Sequence, residues 1–154
     1  MSDDRATLKE VRRSGNGVRL LCMAGAVVRA FYVTRAAESL SQVIELRRTG
    51  VYVLLRITDE PGSTRAYVGL AGPGMLWKRL RQHRKERDWW THALGFTRLD
   101  ERLSGEDVLY LEDRLHDLMR QSERFLLEPT FPICRLRSRH LGDSLPTNQT
   151  ERTC

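Results

Sequence analysis

Apolar residues recur along the chain in two rhythms, short runs with strand character and stretches with helical spacing. From Val18 to Arg35 the runs VRLLCMA and VVRAFYVT flank Gly25, a pattern that predicts strand, turn and strand. Apolar positions at Leu40, Val43, Ile44 and Leu46 predict a helix over 36–48, which Thr49-Gly50 ends. GVYVLLRI, a loop carrying Asp59, Pro61 and Gly62, and RAYVGLAG then predict an antiparallel hairpin. MLWKRLRQHRKERD reads as a helix, and Trp89 to Thr97 returns to strand character. Ser104-Gly105-Glu106-Asp107 has the chemistry of an N-cap with an acidic first turn, opening a helix from about Gly105 to Arg120. Pro129 and Pro132 end regular structure after Leu127.

These elements define an α/β (α+β) chain, with a small, mainly antiparallel sheet of three strands flanked by helices and preceded by a hairpin and helix. Residues 1–17 are read as a flexible polar extension, 18–49 as the accessory hairpin and helix, 50–128 as the main domain and 129–154 as a loose polar tail. With 154 residues, 40% of them hydrophobic, the chain can bury one ordinary core.

Charge narrows the choice of partner. The formal net charge is +6, which favours an anion such as nucleic acid without distinguishing it from other anionic surfaces. The excess is concentrated on one predicted helix, where Lys78, Arg79, Arg81, Arg84, Lys85 and Arg87 face Glu86 and Asp88. Such a helix suits a phosphate backbone. Cys22, Cys134 and Cys154 are far apart and odd in number, so neither a zinc site nor a disulfide framework is readable, and a reduced, cytoplasmic protein is expected. The longest apolar run, Leu20 to Val28, is too short to span a bilayer, and the acidic, polar N-terminus has no secretory pattern.

Candidate chemistry follows from helix faces. At about 100° per residue, Val108, Leu111, Leu115, Leu118 and Met119 share an arc, and Glu112 lies about 20° beyond Met119. A carboxylate there is partly desolvated and favours a cation. Leu76 and Leu80 mark the buried stripe of the basic helix, with Arg79 and His83 on its flank. Tyr52 and Tyr67 lie on paired strands, and a phenol needs nearby cations to act as a base. Each residue also has an ordinary alternative. Strand tyrosines usually pack, an arginine in a basic helix is usually solvated, His83 suits a packing role, and Glu112 could pair with Arg79 or His116. Trp89 and Trp90 are read as core and edge packing residues, with base stacking the lesser alternative.

The order of these residues resembles the GIY-YIG nuclease superfamily. Gly50-Val51-Tyr52 stands for its first strand motif and Tyr67-Val68-Gly69 for its second. RLRQH, from Arg79 to His83, stands for the arginine helix, and YLEDRL around Glu112 for the glutamate helix. RLRQHRKERDWWTHALGFT with YLEDRL looks especially like a bacterial group of small stand-alone members. The resemblance covers Val18 to Leu127 and is most specific from Gly50 to Leu115. It implies an endonuclease with Tyr52 as base or water-orienting group and Tyr67 bonded to the scissile phosphate or nucleophile. It further implies that Arg79 stabilises the phosphorane, that His83 assists proton transfer, and that Glu112 holds a single Mg²⁺ or Mn²⁺. Lys78, Arg81, Arg84, Lys85 and Arg87 would then contact DNA phosphates, with RNA left open as a substrate. The chain departs from the excision-repair members in a longer Gly69 to Arg79 spacing through Gly72-Pro73-Gly74, and in Leu70 where those members carry lysine. It also has Leu126, Leu127 and Glu128 where some members place an asparagine. A noncatalytic nucleic-acid-binding module and a basic protein-interaction domain are the rival expectations.

Overall fold

The computed structural model describes residues 8–14, 17–23, 26–60 and 63–129. Its elements are β1 (Leu8–Ser14), β2 (Val18–Met23), β3 (Val28–Thr34), β4 (Gly50–Arg56), β5 (Thr64–Ala71), α1 (Leu76–Glu86), β6 (His92–Arg98), α2 (Gly105–Gln121) and β7 (Phe125–Leu127). One seven-stranded sheet runs in the order β1-β2-β3-β6-β4-β5-β7. Every pairing is antiparallel except β5 with β7.

The mixed α/β class agrees with expectation, and the size of the sheet does not. Three strands were expected, but β3 pairs along its whole length with β6, which merges the N-terminal hairpin and the β4–β5–β6 unit into one sheet. Residues 8–14, read as part of a flexible extension, form β1. The hairpin turn at Gly25, the Pro61-Gly62 part of the β4–β5 loop, Cys134, Cys154 and the tail beyond Pro129 lie outside the described residues.

The helix expected over 36–48 is two 3₁₀ turns, Leu40–Gln42 and Ile44–Arg47. Val43 between them is extended, at φ −83° and ψ 111°. Leu40 and Leu46 are buried and Val43 packs against the same core, a spacing of three that matches the 3₁₀ repeat better than 3.6. Ile44, counted toward the helical pattern, is exposed.

β4 is an interior strand between β6 and β5 and is buried from Gly50 to Leu55. Tyr52 and Leu54 point to the face covered by α1 and the 3₁₀ turns, where Phe31, Val33, Leu46, Leu76, Leu80 and Trp90 complete the core. Val53 and Leu55 point to the other face, with Ala66, Val68 and Met119 of α2. The α2 N-cap is the one expected. Ser104 accepts from the Asp107 backbone N–H, and the Asp107 carboxylate accepts from that of Ser104. Its buried stripe is turned toward Glu112: Val108 and Met119 are buried, Glu112 is half-buried, and Leu118, expected inside, is exposed.

Candidate active site

The site is built on one row of the sheet. Phe31, Gly95, Tyr52 and Gly69 are direct cross-strand partners, so their side chains would share a face. Large rings alternate with glycines for a steric reason. A Cβ on Gly95 would lie 1.8 Å from the Phe31 ring, and one on Gly69 would lie 2.6 Å from the Tyr52 hydroxyl oxygen. Each ring lies across a neighbouring glycine, and Tyr52 is thereby aimed toward β5. The motif glycine Gly69 serves this approach. Gly50 serves another: its Cβ would lie 2.2 Å from the Phe96 carbonyl oxygen and 3.0 Å from Leu76.

Tyr52 meets His83 of α1, with 2.7 Å between the hydroxyl oxygen and Nε2. Tyr67, beside Leu54 on the same face, completes a cluster of rings whose centroids lie 6.5 Å from Tyr52 and 5.3 Å from His83. The backbone of His83 is tied as well, since its carbonyl accepts from Trp90 Nε1 at 3.2 Å and from the Arg87 N–H at 2.9 Å. Trp90 thus packs, as expected, and also fixes the histidine.

Electrostatics set the proton states. Burial pushes the Tyr52 hydroxyl well above its ordinary 10, with Tyr67 and Glu112 adding to the rise and Arg79 and Arg87 opposing it. Tyr67 is raised by burial too, against Arg87 and Arg79 and with Glu112 and Glu128. His83 is lowered to about 4 by burial, then by Arg87 and Arg79, against Glu86. At neutral pH the contact therefore joins a protonated phenol to a neutral imidazole. Arg79 acts on Tyr52 with the sign a phenolate needs, and desolvation outweighs it.

Glu112 comes from the helix on the opposite face, yet it acts on both tyrosines. β7 pairs only with Thr64, Arg65 and Ala66 of β5, which leaves the edge beside Tyr67 without a strand neighbour among the described residues. α2 packs along β5, β4 and β7, which brings Glu112 within electrostatic reach of the hydroxyls. Arg79 is exposed and donates to Gln82 Oε1 at 3.1 Å. Tyr52, Tyr67, Arg79, His83 and Glu112 therefore share one electrostatic neighbourhood.

The basic residues of α1 divide. Lys78, Arg81 and Lys85 are exposed and, with Trp77 and Gln82, line a groove of about 370 Å³. Arg84, expected to face phosphates, instead donates to the Ala37 carbonyl and is half-buried, because its position on α1 turns it toward the 3₁₀ turns. Arg87 also turns inward. Its guanidinium carbon lies 4.3 Å from the Tyr67 ring centroid, and it pairs with Glu128. Arg79, His83 and Arg87 follow an i, i+4, i+8 spacing, a helical signal that puts Arg87 on the site's flank. Glu128 carries no such periodic signal, because it lies beyond the last strand.

Among the described residues no three His, Cys, Asp or Glu side chains gather as a metal cluster. The hard-oxygen groups of this neighbourhood are the Glu112 carboxylate and the two tyrosine hydroxyls, while the Glu128 carboxylate is already paired with Arg65 and Arg87. That set fits Mg²⁺, which commonly takes one or two carboxylates and fills its remaining positions with water and substrate phosphate. No helix among the described residues is long and apolar enough to cross a membrane. Neither family models, nor curated proteins, nor solved structures compared with the chain gave a match.

Proposed function

We propose that this protein is a metal-dependent endonuclease that hydrolyses phosphodiester bonds in DNA, using one Mg²⁺ or Mn²⁺ held by Glu112. The observation that carries this reading is the Tyr52–His83 contact of 2.7 Å in a cluster on which Arg79 and a half-buried carboxylate both act. The GIY-YIG resemblance supplies the same residues from the sequence. A cytoplasmic setting goes with it, supported by the few, widely spaced cysteines.

Each residue has a role its surroundings suit. Tyr52 need not become a phenolate: it accepts a proton from the attacking water as it passes its own to His83 Nε2. Tyr67, half-buried at the open edge, offers its hydroxyl to the phosphate. Arg79 neutralises charge that develops on the equatorial phosphate oxygens. The metal, when bound, adds Lewis-acid stabilisation at the leaving oxygen. Lys78, Arg81 and Lys85 bind the duplex backbone beside the site.

The test is nicking of supercoiled plasmid with Mg²⁺, Mn²⁺ or EDTA, by wild-type protein and by Glu112→Ala. Metal-dependent nicking lost in the variant is the expected result. Salt-sensitive DNA binding with no nicking would replace this reading with a noncatalytic binding module. Absence of DNA affinity at low salt would point to a protein-interaction domain.

A further inference from the structure

Arg87 and Glu128 make an ion pair that is poorly placed to act as a surface contact. The side chains are 22% and 14% exposed, and the same Glu128 carboxylate also takes Arg65. A desolvated pair contributes little net stability, because its Coulomb attraction is offset by the loss of hydration. What it does provide is geometry. Arg87 caps α1, and its N–H donates to the His83 carbonyl at 2.9 Å. Glu128 follows β7, and its N–H donates to the Ala66 carbonyl at 2.8 Å. The pair therefore fastens the end of the site helix to the strand that carries Tyr67, with the guanidinium lying over the Tyr67 ring. Arg65 continues the arrangement outward, 4.5 Å from the Trp89 ring centroid.

We propose that Arg87 is a further member of the site, a positioning residue that Glu128 anchors over Tyr67 so that the Tyr67 hydroxyl meets the phosphate in one orientation. Its consequence for turnover rests on the nuclease reading, whereas its placement does not. A planar guanidinium is required, since it stacks on a ring and meets a carboxylate along its edge at once, which an ammonium does not reproduce.

The test uses the full chain with Arg87→Lys and Glu128→Gln. In the NMR spectrum the Arg87 side-chain protons of the wild type should be shifted upfield by the Tyr67 ring, and Glu128→Gln should abolish that shift. In the nicking assay, kcat should fall in Arg87→Lys by roughly 10²-fold, the scale of a misplacement of about 1 Å, with KM little changed. Arg81→Ala, a groove residue, should instead raise KM. Arg87 protons unshifted in the wild type, or a shift that survives Glu128→Gln, would overturn the proposal, as would a loss in Arg87→Lys confined to KM. If the wild type cleaves nothing, the nuclease reading fails, and the ring-current measurement still decides whether Arg87 is anchored as described.

Discussion

The two tyrosines of the site sit side by side in opposite surroundings. Tyr52 is 2% exposed on an interior strand, wedged across Gly69 and joined to a buried histidine. Tyr67 is half-buried at an open sheet edge, with a guanidinium over its ring and carboxylates within electrostatic reach. A deeply buried hydroxyl can hand its proton to a buried neighbour as it takes one from water, whereas a half-buried one at an edge can bind the phosphate. The paired strands thus place two identical side chains in different surroundings, by depth.

The largest expected effect removes the charge that both share. Glu112→Gln should reduce metal-dependent nicking to background while leaving the melting temperature near that of the wild type. Near-normal nicking by a folded Glu112→Gln protein would remove this carboxylate from the site.

Separating the tyrosines is the next test. Tyr52→Phe should lower cleavage by about 10²–10⁴-fold, the contribution of a positioned proton-transfer group. The stability cost should be smaller, about 1–3 kcal/mol, because His83 loses a buried partner. Tyr67→Phe should lower activity with little change in melting. Equal melting temperatures for the two variants would show that the difference in depth has no energetic consequence.

Gly69→Ala attacks the wedge itself. With its Cβ 2.6 Å from the Tyr52 hydroxyl oxygen and 2.7 Å from Cζ, the ring must move, at about 1–3 kcal/mol for an overpacked site. Gly72→Ala, where a Cβ meets nothing within 4 Å, is the control. Matching stability losses in the two variants would argue against the wedge.

Acid should act on the closed half of the site. With His83 near 4 in the fold against an ordinary 6.5, the unfolded chain gains a proton in that interval that the folded chain refuses. Stability from this group is therefore present above 6.5 and lost as pH falls toward 4. His83→Gln should flatten the melting curve's pH dependence in this window. A slope as steep as that of the wild type would assign the acid sensitivity elsewhere.

The smallest effects belong to the groove. Arg81→Ala and Lys85→Ala should each weaken DNA binding and reduce the magnitude of the salt slope by about one. Arg84→Ala should lower melting and leave that slope unchanged, because its guanidinium serves Ala37. A lower slope in Arg84→Ala would place it back on the surface.

The strands Gly50–Arg56 and Thr64–Ala71, both α-helices and the Ser104 cap were determined by local pattern, since period, capping chemistry and turn residues act over a few positions. Helical spacing put Arg79 and His83 on neighbouring positions of one face, but His83, read as flanking the stripe, is buried in it with Leu76 and Leu80 while Arg79 is exposed. The seven-strand extent of the sheet was not determined locally, since strand pairing depends on contacts distant in sequence, such as β3 with β6. Nor was the inward turn of Arg84 and Arg87. A basic side chain reads as solvated until a carbonyl, a ring and a carboxylate from other segments meet it. The proton states of Tyr52 and His83 lay furthest from the sequence. Arg79 could be expected to favour a phenolate, but only the depth of burial decided that desolvation is stronger.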